Sequence, residues 1–476
     1  MFGLYESAFG ALTWGNIVML LIGGLLIYLG IARKMEPLLL VPIGFGVLLI
    51  NLPLGGLMEV TVDGRPVGLL AWVFRGGITT ELIPAFIFLG LGAMTDFGPL
   101  IANPKTLILG AGAQFGVFFA LIIALLIGQA FPDFLDISIE EAAAIGIIGG
   151  ADGPTAIFTA NELAPQLIGV IAVAAYTYMA LVPIILPPVI RLFTSKEERA
   201  IYMKPQLRKV SKREKLFFPI IGAAVIILLV PRSAPLIGMF MFGNLLVVSG
   251  VTERLADTAA NAFMNILTIL LGLSIGAFMD AESFLQGESL VILGLGVIAF
   301  AASAAAGVLL AKLMNLFIKD KLSDELAKEA GEKVAAVRYA LRGADLEVIK
   351  TASQELSDTI QKVSTKVYQQ LPPGEQPPPA SGDGSDDEGT VESVIRNNAD
   401  RLVNTAEKML LDSKRKINPM IGAAGLSAVP MASRVVQRMG QQANPRNFLL
   451  MHAMGPNIAG VIGTATAAGV FLGILG

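Results

Sequence analysis

Nine apolar runs recur along the chain, near residues 15–32, 37–55, 83–101, 106–130, 166–192, 217–235, 260–279, 289–317 and 455–475. Each is long enough to cross the ~30 Å hydrocarbon layer of a bilayer as a helix. That succession leaves few folds open. Inside hydrocarbon every backbone N–H and C=O must find a partner within the protein, so spanning segments are helices or closed barrels, and uninterrupted apolar runs are the helical case. The sequence predicts an all-α polytopic membrane protein. Charge agrees with this: 15% of the 476 residues are charged, against about a quarter in soluble domains. The net charge of −3 identifies no partner, because the charges gather in a few loops and one insert, and nothing points to nucleic acid. The absence of cysteine excludes thiol nucleophiles, disulfides and cysteine-held metals, and the single histidine, His452, argues against a histidine metal site. The first run lacks the basic flank of a cleaved signal peptide and is expected to remain as a span.

Two apolar stretches, 142–163 and 418–440, are interrupted by Gly and Pro, and a shorter one lies near 236–250. The loop 196–215, KEERAIYMKPQLRKVSKREK, is short and strongly basic and is therefore expected on the cytoplasmic side. Arg33, Lys34 and Lys105 agree if 142–163 enters and leaves at the outer face. Residues 318–417 differ from their surroundings. Two charged segments with apolar residues at helical spacing precede PPGEQPPPASGDGSDDEG, which reads as a disordered linker, and a third amphipathic helix is expected near 391–415. The chain thus divides into membrane residues 1–317, a soluble, charged helical insert at 318–417 and membrane residues 418–476. The insert is either a solvated hairpin without a task or a docking platform for a soluble partner.

The apolar part holds an internal similarity. With a shift of 184 residues, GAMTDFGPLIANPKTLILGAG (92–112) lies over GAFMDAESFLQGESLVILGLG (276–296), matching Gly92, Ala93, Asp96, Ile108, Leu109, Gly110 and Gly112 without a gap. Further on, PQLIGVIAVA (165–174) resembles PNIAGVIGTA (456–465), at an offset enlarged by the insert. The expectation is a transporter-like arrangement of two repeats with broken, re-entrant helices, and with the site at their interface near mid-membrane.

Each half carries one break, GIIGGADGPTAIF in the first and NPMIGAAGLSAVPMASR in the second. Gly loosens the backbone and Pro removes a donor, so both breaks expose carbonyls. At membrane depth such groups are tolerated only where they face protein, water or an ion. Asp152, Asn418, Ser427 and Asn457 add carboxylate, amide and hydroxyl oxygens, the hard ligands suited to Na⁺. Structural roles compete. Asp152 also suits the N-cap of a helix starting at Pro154, and the two roles are compatible. Asn418 suits a cap before Pro419, and Ser427 suits helix packing. Tyr176 and Tyr178 are interfacial anchors or mid-span phenols able to carry a proton. Arg434 either snorkels or holds a carboxylate through its bidentate fork.

The stretches GGADGPTAIF, AAYTYMALVPIILPPVI, NPMIGAAGLSAVPMASRV and FLLMHAMGPNIAGVIGTA resemble the signature segments of the membrane β subunit of the biotin-dependent, sodium-pumping decarboxylases, which act on oxaloacetate, methylmalonyl-CoA or glutaconyl-CoA. The resemblance implies that carboxybiotin, attached to a partner and not to this chain, is decarboxylated while Na⁺ is exported and a proton is consumed. It implies three partners in one complex: a biotin carrier, a carboxyltransferase subunit and a small membrane subunit. It implies the cytoplasmic membrane of a bacterium or archaeon as the location, and a homo-oligomer is compatible with it. Carried over motif by motif, the family's ion and proton-coupling residues fall on Asp152, Tyr178, Asn418, Gly422, Ser427, Arg434 and Asn457. Of these, Asp152, Asn418, Gly422, Ser427 and Asn457 are expected around Na⁺. Asp152, Tyr178, Ser427 and Arg434 are expected in the chemistry, with Arg434 meeting the carboxyl of the biotin group. The insert 318–417 is expected to lie outside the family's common core, and FGNLLVVSG (242–250) is apolar where members often carry charge. Without the motifs, a Na⁺-coupled secondary transporter of a small carboxylate fits the repeat and the breaks equally well.

Overall fold

The computed structural model describes residues 8–61, 63, 65–132, 136–203, 208–318, 324–343, 345–368, 391–413 and 416–476. The expected linker falls outside them. Among the described residues there is no strand, only one isolated bridge between Val60 and Pro66. The chain forms two units, one made of Met1–Arg199, Pro205–Ala311 and Pro419–Gly476, the other of Ala200–Lys204 and Lys312–Asn418.

The first unit is a helical membrane bundle. Helices α1 (Trp14–Ala32) and α2 (Pro37–Ile50) form a hairpin. Next come α3 (Leu82–Met94), α4 (Thr106–Ala130, turning at Gln114), α5 (Ile139–Ile147), α6 (Gly153–Leu163) and α7 (Ile168–Phe193). After the basic loop follow α8 (Lys212–Leu229), α9 (Ala234–Val248), α10 (Met264–Ala277) and α11 (Gly287–Phe317). Seven described helices are long and apolar enough to cross a membrane, or eight if the pair Leu69–Ile78 and Leu82–Met94, bent by 66°, is one span. The stretch expected to be short near 236–250 belongs to one of the seven, Pro231–Val248. Its predecessor α8 stops at Leu229, just before Pro231, which has no N–H to continue it.

Small residues let these helices approach closely. A Cβ on Gly92 would collide with the Phe240 carbonyl, and one on Gly243 with that of Leu89, so α3 and α9 touch backbone to backbone. The two similar stretches begin alike. Asn51 donates to the Met279 carbonyl at 2.7 Å and accepts from Ala281 N at 3.0 Å, closing the turn after α10. Asn244 donates to the Thr95 carbonyl at 2.6 Å, closing the turn after α3.

The second unit contains α12 (Asp324–Ala340), α13 (Leu346–Tyr368) and α14 (Val391–Ser413), the amphipathic helices expected from the pattern. Their apolar faces meet in a small core that includes Val337, Ile349, Leu356, Ala399 and Val403. Arg396 fastens α14 to the turn after α12 through the carbonyls of Leu341 and Gly343, both at 2.9 Å. Lys333–Glu355 and Arg338–Glu407 bridge its helices at 2.5 and 2.7 Å.

The bundle is completed by α15 (Met420–Ala423), α16 (Met431–Ala443) and α17 (Leu450–Leu475). The ends of the helices give the course of both breaks. Gly476, after α17, lies beside Leu163 at the end of α6. Gly440 in α16 packs on Leu449 at the start of α17. Hairpin α5–α6 therefore opens at the end where α17 finishes, and α15–α16 returns to the end where α17 begins. The two broken segments enter from opposite ends and meet inside.

Candidate functional site

The first break is built by a change of backbone. Helix α5 ends in a 3-10 turn over Ile148–Gly150, and Ala151 takes the left-handed conformation at φ 58°. That conformation costs a non-glycine residue roughly 1 kcal/mol. It reverses the chain so that Asp152, extended, caps α6, with Pro154 in the first turn. Asp152 Oδ1 accepts from Thr155 N at 3.2 Å. Its Oδ2 is buried with no hydrogen-bond partner, and the residue is 4% exposed. Capping therefore occupies one carboxylate oxygen and leaves the other unclaimed. Tyr176 lies against this turn, because a Cβ on Gly153 would strike its ring, and the buried phenol oxygen has no partner.

The second break, Ala424–Pro430, packs directly on the first. Ser427 N donates to the Gly150 carbonyl at 3.0 Å. Asn457, on α17, donates its amide to the Leu426 carbonyl and, at 3.4 Å, to that of Ala428. Its Oδ1 is buried and has no hydrogen-bond partner. Beneath Ser427, its hydroxyl lies 2.6 Å from that of Thr464, which in turn lies 3.0 Å from Gln114 Oε1. Ser303 donates to the Gly149 carbonyl at 2.6 Å. Gly422 serves close approach: a Cβ there would collide with the Gly307 carbonyl of α11.

Asp152, Ser427 and Asn457 thus stand at one junction, with Gly422 where the second break packs on α11. Tyr178 points elsewhere, donating to the Leu293 carbonyl of α11, and Tyr176 is the phenol at the break. Arg434 is exposed on α16. Its charge acts on Glu36, in the turn before α2, whose carboxyl burial pushes up while Arg434 opposes the rise. Asn418 belongs to the second unit, where its amide donates to the Ile201 carbonyl at 3.0 Å. Sequence reading did not single out Thr464, Gln114 or Ser303. Thr464 lay inside the quoted GVIGTA, and Gln114 is one of few polar residues between 106 and 130.

Chemically the junction is one carboxylate among amide, hydroxyl and carbonyl oxygens. Among the described residues no three of His, Cys, Asp and Glu gather as a metal cluster. Such a neutral oxygen shell with a single negative charge suits a monovalent hard cation. The unclaimed oxygens of Asp152 and Asn457 are the acceptors it would use.

A family model described as the Na⁺-transporting oxaloacetate decarboxylase beta subunit matches residues 15–355 and 398–475. The chain is 44% identical to the methylmalonyl-CoA decarboxylase subunit beta of Propionigenium modestum, over 99% of this chain and 98% of that one. It is 45% identical to the glutaconyl-CoA decarboxylase subunit beta of Acidaminococcus fermentans, over 99% and 96%. It is 40% identical to the oxaloacetate decarboxylase beta chain of Haemophilus ducreyi, over 97% and 95%. The match corrects one expectation. Helix α12, the first part of α13 and most of α14 lie inside the family match, so only 356–397, and not the whole of 318–417, falls outside it. Amphipathic, charged helices had set the insert apart from the apolar core by composition, which says nothing of what relatives share. The chain belongs to the β-subunit family of the Na⁺-transporting oxaloacetate decarboxylases and their methylmalonyl-CoA and glutaconyl-CoA relatives.

Proposed function

We propose that this chain is the membrane subunit that decarboxylates carboxybiotin, carried by a partner, and couples that step to export of Na⁺ with consumption of a proton. One observation carries the site: two broken helices meet through Ser427 and Gly150, and the unclaimed, buried oxygens of Asp152 and Asn457 stand at that junction. Asp152, Ser427 and Asn457, with backbone carbonyls of the breaks, hold Na⁺. Gly422, packed on the Gly307 backbone, keeps the second break in place for this. The two similar stretches belong to copies of one unit, whose broken helices enter from opposite sides.

The basic loop 196–215 puts the end of α7, and with it α16 and Arg434, in the cytoplasm of a bacterial or archaeal cell. The biotin group arrives there on a carrier subunit, which assembles with a carboxyltransferase and a small membrane subunit. Arg434 receives its carboxylate, a pairing suited to a guanidinium fork. The C–N bond to the carboxyl breaks, CO₂ leaves, and the electron pair left on the biotin nitrogen takes a proton. This chain's part is to bind the anion, supply the proton and exclude futile release. Tyr178 belongs to the proton route, and Asp152 is where Na⁺ and the proton compete for one charge. Moving one Na⁺ against 150 mV requires roughly 3.5 kcal/mol before any concentration term, within reach of an exergonic decarboxylation.

The test is Na⁺-dependent CO₂ release from carboxylated carrier by the purified complex. Carboxylate exchange across vesicles holding this chain without a biotin protein would replace the pump by a secondary transporter.

A further inference from the structure

Thr464 is fully buried on α17 and touches both breaks. Its methyl packs where a Cβ on Gly150 would sit, at 2.5 Å, and its hydroxyl is 2.6 Å from that of Ser427. Distance alone leaves either hydroxyl as the donor. The remaining neighbours of Thr464 decide it. Gln114 Oε1 lies 3.0 Å away and the Gly460 carbonyl 3.1 Å away, and both are oxygens that only accept. The orientation of the Gln114 amide is fixed in turn, since its Nε2 faces the carbonyls of Gly460 at 3.2 Å and Gly110 at 3.5 Å. Turned over, it would set a carbonyl oxygen against two others. Thr464 has one proton, and it goes to a carbonyl. Ser427 must therefore donate to Thr464.

We propose that Thr464, oriented by Gln114, is a positioning residue for the sodium site: it takes up the Ser427 proton and leaves Ser427 as a pure acceptor. The proposal rests on the reading of this junction as the Na⁺ site. A hydroxyl whose proton is already committed presents only lone pairs, which is what a hard cation requires of it. A hydroxyl able to rotate its proton towards the site would oppose the ion. Because Ser427 N is held by Gly150, the orientation of the Ser427 side chain is also tied to the first break. Gln114 stands at the turn within α4, so the relay runs from that helix through α17 to the second break.

The experiment measures Na⁺-dependent decarboxylation of carboxylated carrier by the whole complex over a range of Na⁺ concentration. Thr464→Val keeps the shape and removes the acceptor. It is expected to raise the half-saturating Na⁺ about tenfold, the scale of one misdirected buried hydrogen bond, and to change the rate at saturating Na⁺ far less. Thr464→Ser, which retains the hydroxyl, returns half-saturation to within about twofold of wild type. If Thr464 acts through Ser427, then in a Ser427→Ala background Thr464→Val adds less than about twofold. Should the valine variant not assemble, Thr464→Ala is read in the same cycle. Wild-type half-saturation in the valine variant, a serine variant as impaired as the valine, or additive effects in the double variant would each overturn the assignment. A wild-type rate indifferent to Na⁺ would instead remove the sodium-site reading itself, and this assignment with it.

Discussion

Ser427 N donates a 3.0 Å hydrogen bond to the Gly150 carbonyl, joining the two broken helices of the bundle at their tips. A hydrogen bond between breaks that enter from opposite ends means that neither can shift without the other's backbone losing a partner. Around it stand one carboxylate with an unclaimed oxygen and one amide in the same condition.

Asp152→Asn separates capping from charge. The amide oxygen can still accept from Thr155 N, so the complex is expected to assemble with little loss of stability. The negative charge that balances the ion is gone. Losing a buried charge partner is worth about 3 kcal/mol or more, so Na⁺-dependent CO₂ release is expected to fall at least about 100-fold. Retention of the rate in an assembled variant would contradict the role of Asp152.

Gly422→Ala tests close packing. The added methyl meets the Gly307 backbone, which cannot yield as a flexible side chain would. An overpacked contact of this type costs typically 1–3 kcal/mol. The thermal midpoint of the purified complex is expected to drop by several degrees, with an unchanged midpoint as the contrary result.

Glu36 gives a pH signature. Burial raises its carboxyl above the ordinary value, with Arg434 opposing. A raised acid contributes stability that is full below its unfolded value near 4.5 and is lost as pH rises through the folded value. Glu36→Gln stays neutral throughout. The variant's thermal midpoint is therefore expected to match wild type at acidic pH and to exceed it increasingly as pH rises. A gap that is constant with pH would contradict this.

Arg396→Ala removes both hydrogen bonds that tie α14 to the Leu341 and Gly343 carbonyls. Each bond made by a charged group is worth about 1.5–3 kcal/mol. Amide exchange in α12–α14 is expected to speed up, while exchange in the membrane bundle stays as in wild type. Unchanged protection in α14 would show that the helix is held by its apolar face alone.

Much of this was legible in the residues because hydrocarbon is an exacting solvent. Apolar length located most of the spans, although α2 and α3 are shorter than their runs and Pro231–Val248, expected to be short, is long enough to cross; Gly, Pro and a lone Asp located the breaks. The motifs led to Asp152, Ser427 and Asn457, which meet at one junction. Partner choice was not legible. Nothing in AAYTYMALVP tells which phenol faces Gly153 and which reaches Leu293, because that depends on how α7 is rotated against its neighbours. Thr464 reads as one more small residue in GVIGTA until its three oxygen neighbours are known. Nor did composition reveal that much of the insert is shared by the family, since helices on a separate small core have no apolar span to mark them.

The most direct test of the account is sodium movement itself. Inside-out vesicles holding the complete complex, supplied with its carboxyl donor, are loaded with external ²²Na⁺ while CO₂ release is followed. Na⁺ is expected to accumulate inside in proportion to CO₂ formed, and both are expected to stop together in Asp152→Asn. CO₂ release at the wild-type rate without Na⁺ uptake would contradict the coupling.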